Sequence, residues 1–149
     1  MTALERACLH LSAFLTAGTG LLYGWLRYFG QRPGDFGPEA HPAQALLQHL
    51  HVLAAPLLVF TLGVLVRGHA QPMLRRGAPL GRASGLATVC ILAPMVLSGY
   101  LVQVAVAPAW RTGWAWAHGI ASLLFLAGYA VHLGRTWEQA RLDRAAALD

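Results

Sequence analysis

The chain has 149 residues, enough for one domain, and a net charge of +5 in which all eleven cations are arginines. Only 11% of its residues are charged and 56% are apolar, where average soluble proteins carry about a quarter charged. That balance excludes a disordered chain, argues against a soluble domain, and leaves too little polar surface for a nucleic-acid-binding face; a small integral membrane protein remains.

Four apolar stretches of about 20 residues follow in chain order, each the length a helix needs to cross the hydrocarbon core. The backbone must satisfy itself in lipid, so helix is the expected form of each. The first covers about 7–29. It does not read as a secretory leader: it is too long for an apolar leader core, carries His10 and Tyr23, and ends in WLRYFGQRPG. A Pro- and Gly-rich segment, Gln31 to Ala45, reads as an ordered loop. The second stretch covers about 46–66. Arg67 to Gly85, with four arginines and two prolines, reads as a connection. The third stretch covers about 86–106, a tight turn at Pro108 follows, and the fourth covers about 114–133. The polar tail, 135–149, is expected to be a short surface helix. No internal repeat stands out. Cys8 and Cys90 lie in apolar runs without CxxC or CxxCH, so a zinc site, a covalently attached c-type haem and a disulfide framework all lack support.

Arginine counts give orientation. Arg6, Arg67, Arg75, Arg76, Arg82, Arg135, Arg141 and Arg144 fall on one side, and Arg27, Arg32 and Arg111 on the other. Both termini are therefore expected in the cytoplasm, and in a bacterium the opposite face is periplasmic. The expected fold is an all-α antiparallel four-helix bundle, a single membrane domain. Trp110, Trp114 and Trp116 mark the periplasmic interface.

Seven histidines are the unusual feature of so apolar a chain, because an ionisable group inside a span is a functional-site hypothesis. His118 and His132 stand at positions i and i+14 of the fourth helix. That spacing is about −40° of net rotation and about 21 Å of rise, so both rings share one face near opposite membrane surfaces. Two haems stacked across a bilayer need that arrangement, each with a second axial imidazole at its own depth. On the periplasmic side the second helix begins with His49 and His51, which point about 200° apart, so only one faces inward. His51 is preferred, with small Ala55 one turn on where His49 has Leu53, and His49 is the alternative. On the cytoplasmic side His10 is preferred. His69 is the alternative; it lies about 27 Å past His51 and overshoots the level of His132 by about 6 Å. Bis-imidazole ligation suits electron transfer. A single intramembrane histidine commonly does no more than hydrogen-bond a neighbouring helix; a depth-matched set of four is harder to explain that way. His41, in the loop, reads as surface. Gly18, Gly20, Gly24, Gly99, Gly119 and Gly128 would allow close helix packing or the approach of a flat macrocycle. Helix-end arginines, Arg6, Arg67, Arg82 and Arg135 inside and Arg27 and Arg111 outside, could pair with haem propionates.

On these residues the chain resembles the four-helix di-haem cytochrome b family, which includes the gamma subunit of membrane formate dehydrogenase and bacterial cytochrome b561 proteins. The segment HGIASLLFLAGYAVH matches the family's paired histidines, ERACLH its helix-one histidine, HLHVLAAPLLVFTLGVLVRGH its helix-two histidine, and VLSGYLV its Ser/Thr-Gly in helix three. The resemblance spans about residues 5 to 135. It implies two haem b groups held by His10, His51, His118 and His132, and quinone as substrate. The stretch APLGRAS, matching the family's quinone site, supplies Gly81 and Arg82 but not the family's Asn. The expected function is electron transfer across the membrane between the quinone pool and a redox partner subunit. That partner is expected to be periplasmic, an iron–sulfur or c-type cytochrome protein, and no residue is assigned a catalytic role. Two other functions are weighed: a stand-alone b561-like quinone/superoxide oxidoreductase, and a haem-free membrane protein serving as assembly subunit or metal carrier.

Overall fold

The structure, a computed structural model, describes residues 2–75 and 82–147. Helix α1 runs Ala3–Tyr28. Its start is set by a reciprocal cap: Glu5 N–H donates to Thr2 Oγ1 at 3.2 Å, and Thr2 N–H donates to Glu5 Oε2 at 2.7 Å. A short β-hairpin follows, β1 (Arg32–Gly34) pairing antiparallel with β2 (Gly37–Glu39). Gly37 closes its two-residue turn at φ +120°, a conformation open to glycine. Helix α2 runs Ala43–Leu65, continues through one π-helical turn at Val66–Ala70, and is extended by α3, Gln71–Arg75. Helices α4 (Arg82–Val104) and α5 (Pro108–Ala146) complete the chain. Pro108 stands in the first turn of α5, where its missing N–H costs nothing. Pro56 and Pro94 stand inside α2 and α4, as membrane helices tolerate.

Among the described residues the protein is thus all-helical apart from the small hairpin, with four helices long and apolar enough to cross a membrane. Their surfaces agree with lipid as the solvent. Phe14, Leu53 and Phe60, near the middles of α1 and α2, are 75%, 71% and 73% exposed. Water would not tolerate that many exposed apolar side chains on neighbouring turns.

The chain divides into two compact units, one ending at His69 and one beginning at Ala70. In the first, α2 packs back along α1. The buried face of α1 is Leu9, Ser12, Ala13 and Thr16, spaced three and four residues apart as one helical stripe requires. On α2 the buried residues Ala54, Leu58 and Leu65 continue a stripe that starts at His51. In the second unit α5 runs antiparallel to α4, so that Met95 meets His118, Thr88 meets Gly128 and Ser84 meets His132.

Three sequence expectations change. The tail is no separate surface helix: α5 is one helix of 39 residues, about 58 Å long, because no proline interrupts Gly134–Ala146. The segment after Arg67 stays helical as far as Arg75. The ordered loop contains a β-hairpin, which Pro33 and Pro38 hid from a strand reading.

Candidate functional site

His51 sits half-buried on α2 with its ring against α1. Its Nδ1 lies 2.9 Å from the carbonyl oxygen of Thr16 and 3.5 Å from Thr19 Oγ1. A Cβ built on Gly20 would stand 2.7 Å from the ring's Cε1, so only glycine admits the ring there. His118 repeats this on the other unit. Its Nδ1 lies 2.9 Å from the carbonyl oxygen of Met95, and a Cβ on Gly99 would stand 3.0 Å from its Cε1. The likeness extends to the hydroxyls. Thr19 Oγ1 donates to Leu15 O at 2.6 Å and lies 3.2 Å from Thr16 O; Ser98 Oγ donates to Pro94 O at 2.6 Å and lies 3.1 Å from Met95 O. Each module is a carbonyl, a hydroxyl three residues on and a glycine four residues on, which places all three on one side of the helix.

His132 occupies a third seat of related design. Its Nδ1 lies 3.3 Å from Ser84 Oγ, and a Cβ on Gly85 would stand 3.4 Å from its Cε1. Three Ser/Thr-Gly dipeptides therefore hold three histidines: Thr19-Gly20 with His51, Ser98-Gly99 with His118, and Ser84-Gly85 with His132. Ser84 and Ser98 repeat on α4 the i, i+14 spacing that His118 and His132 have on α5. Phe125, only 3% exposed, lies midway between the two histidines on the same face of α5.

The hydrogen bonds bear on chemistry. A carbonyl oxygen can only accept, so Nδ1 of His51 and of His118 carries the proton. In the neutral ring the lone pair then lies on Nε2, the nitrogen through which a metal would bind. Such an anchored second nitrogen is what metal-ligating histidines show. Thr16 adds a buried Oγ1 with no hydrogen-bond partner, on the residue whose carbonyl receives His51. Among the described residues no group of three or more His, Cys, Asp or Glu could hold a bare metal ion. Haem iron asks less, since the macrocycle supplies four ligands and the protein two.

The remaining candidates are placed differently. His49 is exposed, on the other side of α2 from His51. His10 is exposed on α1, and His69 is half-buried within the π-helical turn. The His51 seat spans Thr16 to Gly20, so His10 stands about 9–15 Å from that level along α1. That falls short of the roughly 21 Å separating His118 from His132, while His69 exceeds it by about 6 Å. Gly81 lies outside the described residues, as does the side chain of Arg82. His41 serves the local fold, since its Nδ1 accepts from Ala43 N–H at 3.1 Å, at a helix start where Pro42 offers no side-chain cap.

Among the small residues of the spans, Gly20 and Gly99 face histidine rings, and Gly128 packs on Thr88. Gly18, Gly24 and Gly119 have nothing within 4 Å of an added Cβ. Sequence reasoning missed the carbonyls of Thr16 and Met95 and the part that Thr19 and Ser84 play beside His51 and His132, and it met Ser98-Gly99 only through the family resemblance. Their signal was the Ser-Gly dipeptide repeated on α4 at the spacing of the α5 histidines. Comparison with protein-family models, curated proteins and solved structures finds no match.

Proposed function

We propose that the chain is a di-haem b-type membrane cytochrome, carrying electrons across the bilayer between the quinone pool and a redox partner subunit. The observation that carries this reading is the pair His118 and His132, one face of one membrane helix, each held through Nδ1 by a seat on α4. His51 and His118 would hold a haem on the periplasmic side. His10 and His132 would ligate a second on the cytoplasmic side, with His69 the alternative to His10. This pairing rests on the membrane depths and the arginine-based orientation expected from the sequence. A bound haem would supply one-electron carriage.

The chain's own residues hold and orient. The Thr16 and Met95 carbonyls keep the proton on Nδ1 and so put the metal-binding lone pair on Nε2. Gly20 and Gly99 set how deeply the rings lie against the neighbouring helix. Arg67, His69, Arg82 and Ser84, with Gly81, are the candidate contacts for a quinone head group on the cytoplasmic side. Arginine donors there would stabilise an anionic quinone oxygen. The partner in this reading is a periplasmic iron–sulfur or c-type cytochrome subunit, and the membrane is the bacterial inner membrane.

The test is the spectrum of the purified protein. Reduction with dithionite is expected to raise a b-type α-band. A colourless protein would overturn the reading in favour of a haem-free membrane assembly subunit or metal carrier.

A further inference from the structure

We infer that the Ser84 hydroxyl is the positioning group for His132, and that it makes the haem held there inequivalent to the one held by His51 and His118. The inference rests on the cytochrome reading above. At the His51 and His118 seats the acceptor is a backbone carbonyl at 2.9 Å, which no side-chain substitution removes. At the His132 seat the group facing Nδ1 is a side-chain hydroxyl at 3.3 Å, longer and rotatable. A hydroxyl both donates and accepts, so by itself it does not fix the tautomer. Ligation does: with Nε2 given to a metal, Nδ1 carries the ring's proton and Ser84 Oγ must accept it.

An acceptor on the far nitrogen makes an imidazole a stronger donor to its metal. A more basic ligand favours the oxidised iron. Removing the acceptor therefore favours the reduced state, at that haem alone. The Gly85 cradle permits the contact without demanding it, since an added Cβ would stand at ordinary contact distance from the ring, 3.4 Å. Ser84 thus orients His132 more than the local packing does.

The experiment is a redox titration of the purified holoprotein, following the two haems separately. The haem held by His132 is identified as the one lost in His132→Ala. In Ser84→Ala, the ratio of reduced to oxidised haem at that site, read at a fixed ambient potential, is expected to rise several-fold. The other haem should stay where it is. Ser84→Thr keeps the hydroxyl and should restore the wild-type ratio. Thr19→Val and Ser98→Ala, which leave the carbonyl acceptors in place, should each shift their haem by less than Ser84→Ala shifts its own. If Ser84→Ala empties the site while Ser84→Thr keeps it filled at the wild-type potential, the positioning role also stands. Loss of the haem in both variants would assign Ser84 to packing and overturn the inference. Normal spectra with unmoved midpoints in Ser84→Ala would overturn it alone. A colourless wild-type protein would overturn the cytochrome reading as well.

Discussion

The two helical hairpins solve the same packing problem to different degrees. In the α4–α5 hairpin two histidines at i and i+14 meet two Ser-Gly dipeptides of the same spacing, in antiparallel register. In the α1–α2 hairpin one histidine, His51, meets one Thr-Gly dipeptide, and the second candidate, His10, is exposed on the opposing helix. The seats at His51 and His118 match nonetheless, down to the hydroxyl three residues after the accepting carbonyl. The sequence distances differ, 35 residues against 23. The difference is absorbed by the connections: a β-hairpin loop in one unit and a tight turn at Pro108 in the other. The lesson is that a histidine seat is defined by a face of the neighbouring helix and tolerates any loop that returns the chain to that face.

The comparison is broken most severely by removing its histidines. His118→Ala is expected to abolish one haem signal and largely spare the other, and His132→Ala to do the reverse. The companion of His132 should be revealed by which of His10→Ala and His69→Ala loses the same haem as His132→Ala. Full haem occupancy in both α5 variants would contradict the assignment. Within the first hairpin, His51→Ala is expected to remove the haem lost in His118→Ala, and His49→Ala to leave it, because only His51 faces α1. A normal count in the His51 variant with loss in the His49 variant would reverse the choice.

Smaller effects should grade with the room at each seat. An added methyl would stand 2.7 Å from the ring at Gly20, 3.0 Å at Gly99 and 3.4 Å at Gly85. Gly20→Ala should therefore lower haem occupancy most, with an overpacking cost of about 1–3 kcal/mol. Gly99→Ala should lower it less, and Gly85→Ala should stay near wild type. Spectral haem quantitation per chain, with thermal stability measured alongside, reads the order; equal effects at all three would remove glycine from the seats' design.

Much of the fold was legible because lipid is an undemanding solvent to read: four long apolar runs have no alternative to helix. The end of α5 was not legible, since Gly134 and Arg135 resemble a stop signal while no proline enforces one. The inward turn of His51 was written in the spacing of His51, Ala54, Leu58 and Leu65, the stripe that α2 buries. The seats were harder. Ser-Gly is a common dipeptide, and its meaning here lies in pairing across two helices. At His51 and His118 the closest contact is made by a backbone carbonyl, which carries no sequence signature.

The central claim is most directly tested by haem stoichiometry. Pyridine haemochrome quantitation against protein concentration, on the purified wild-type chain, is expected to return two haem b per chain. A value of one would contradict the second site, and a value of zero would contradict the cytochrome reading altogether.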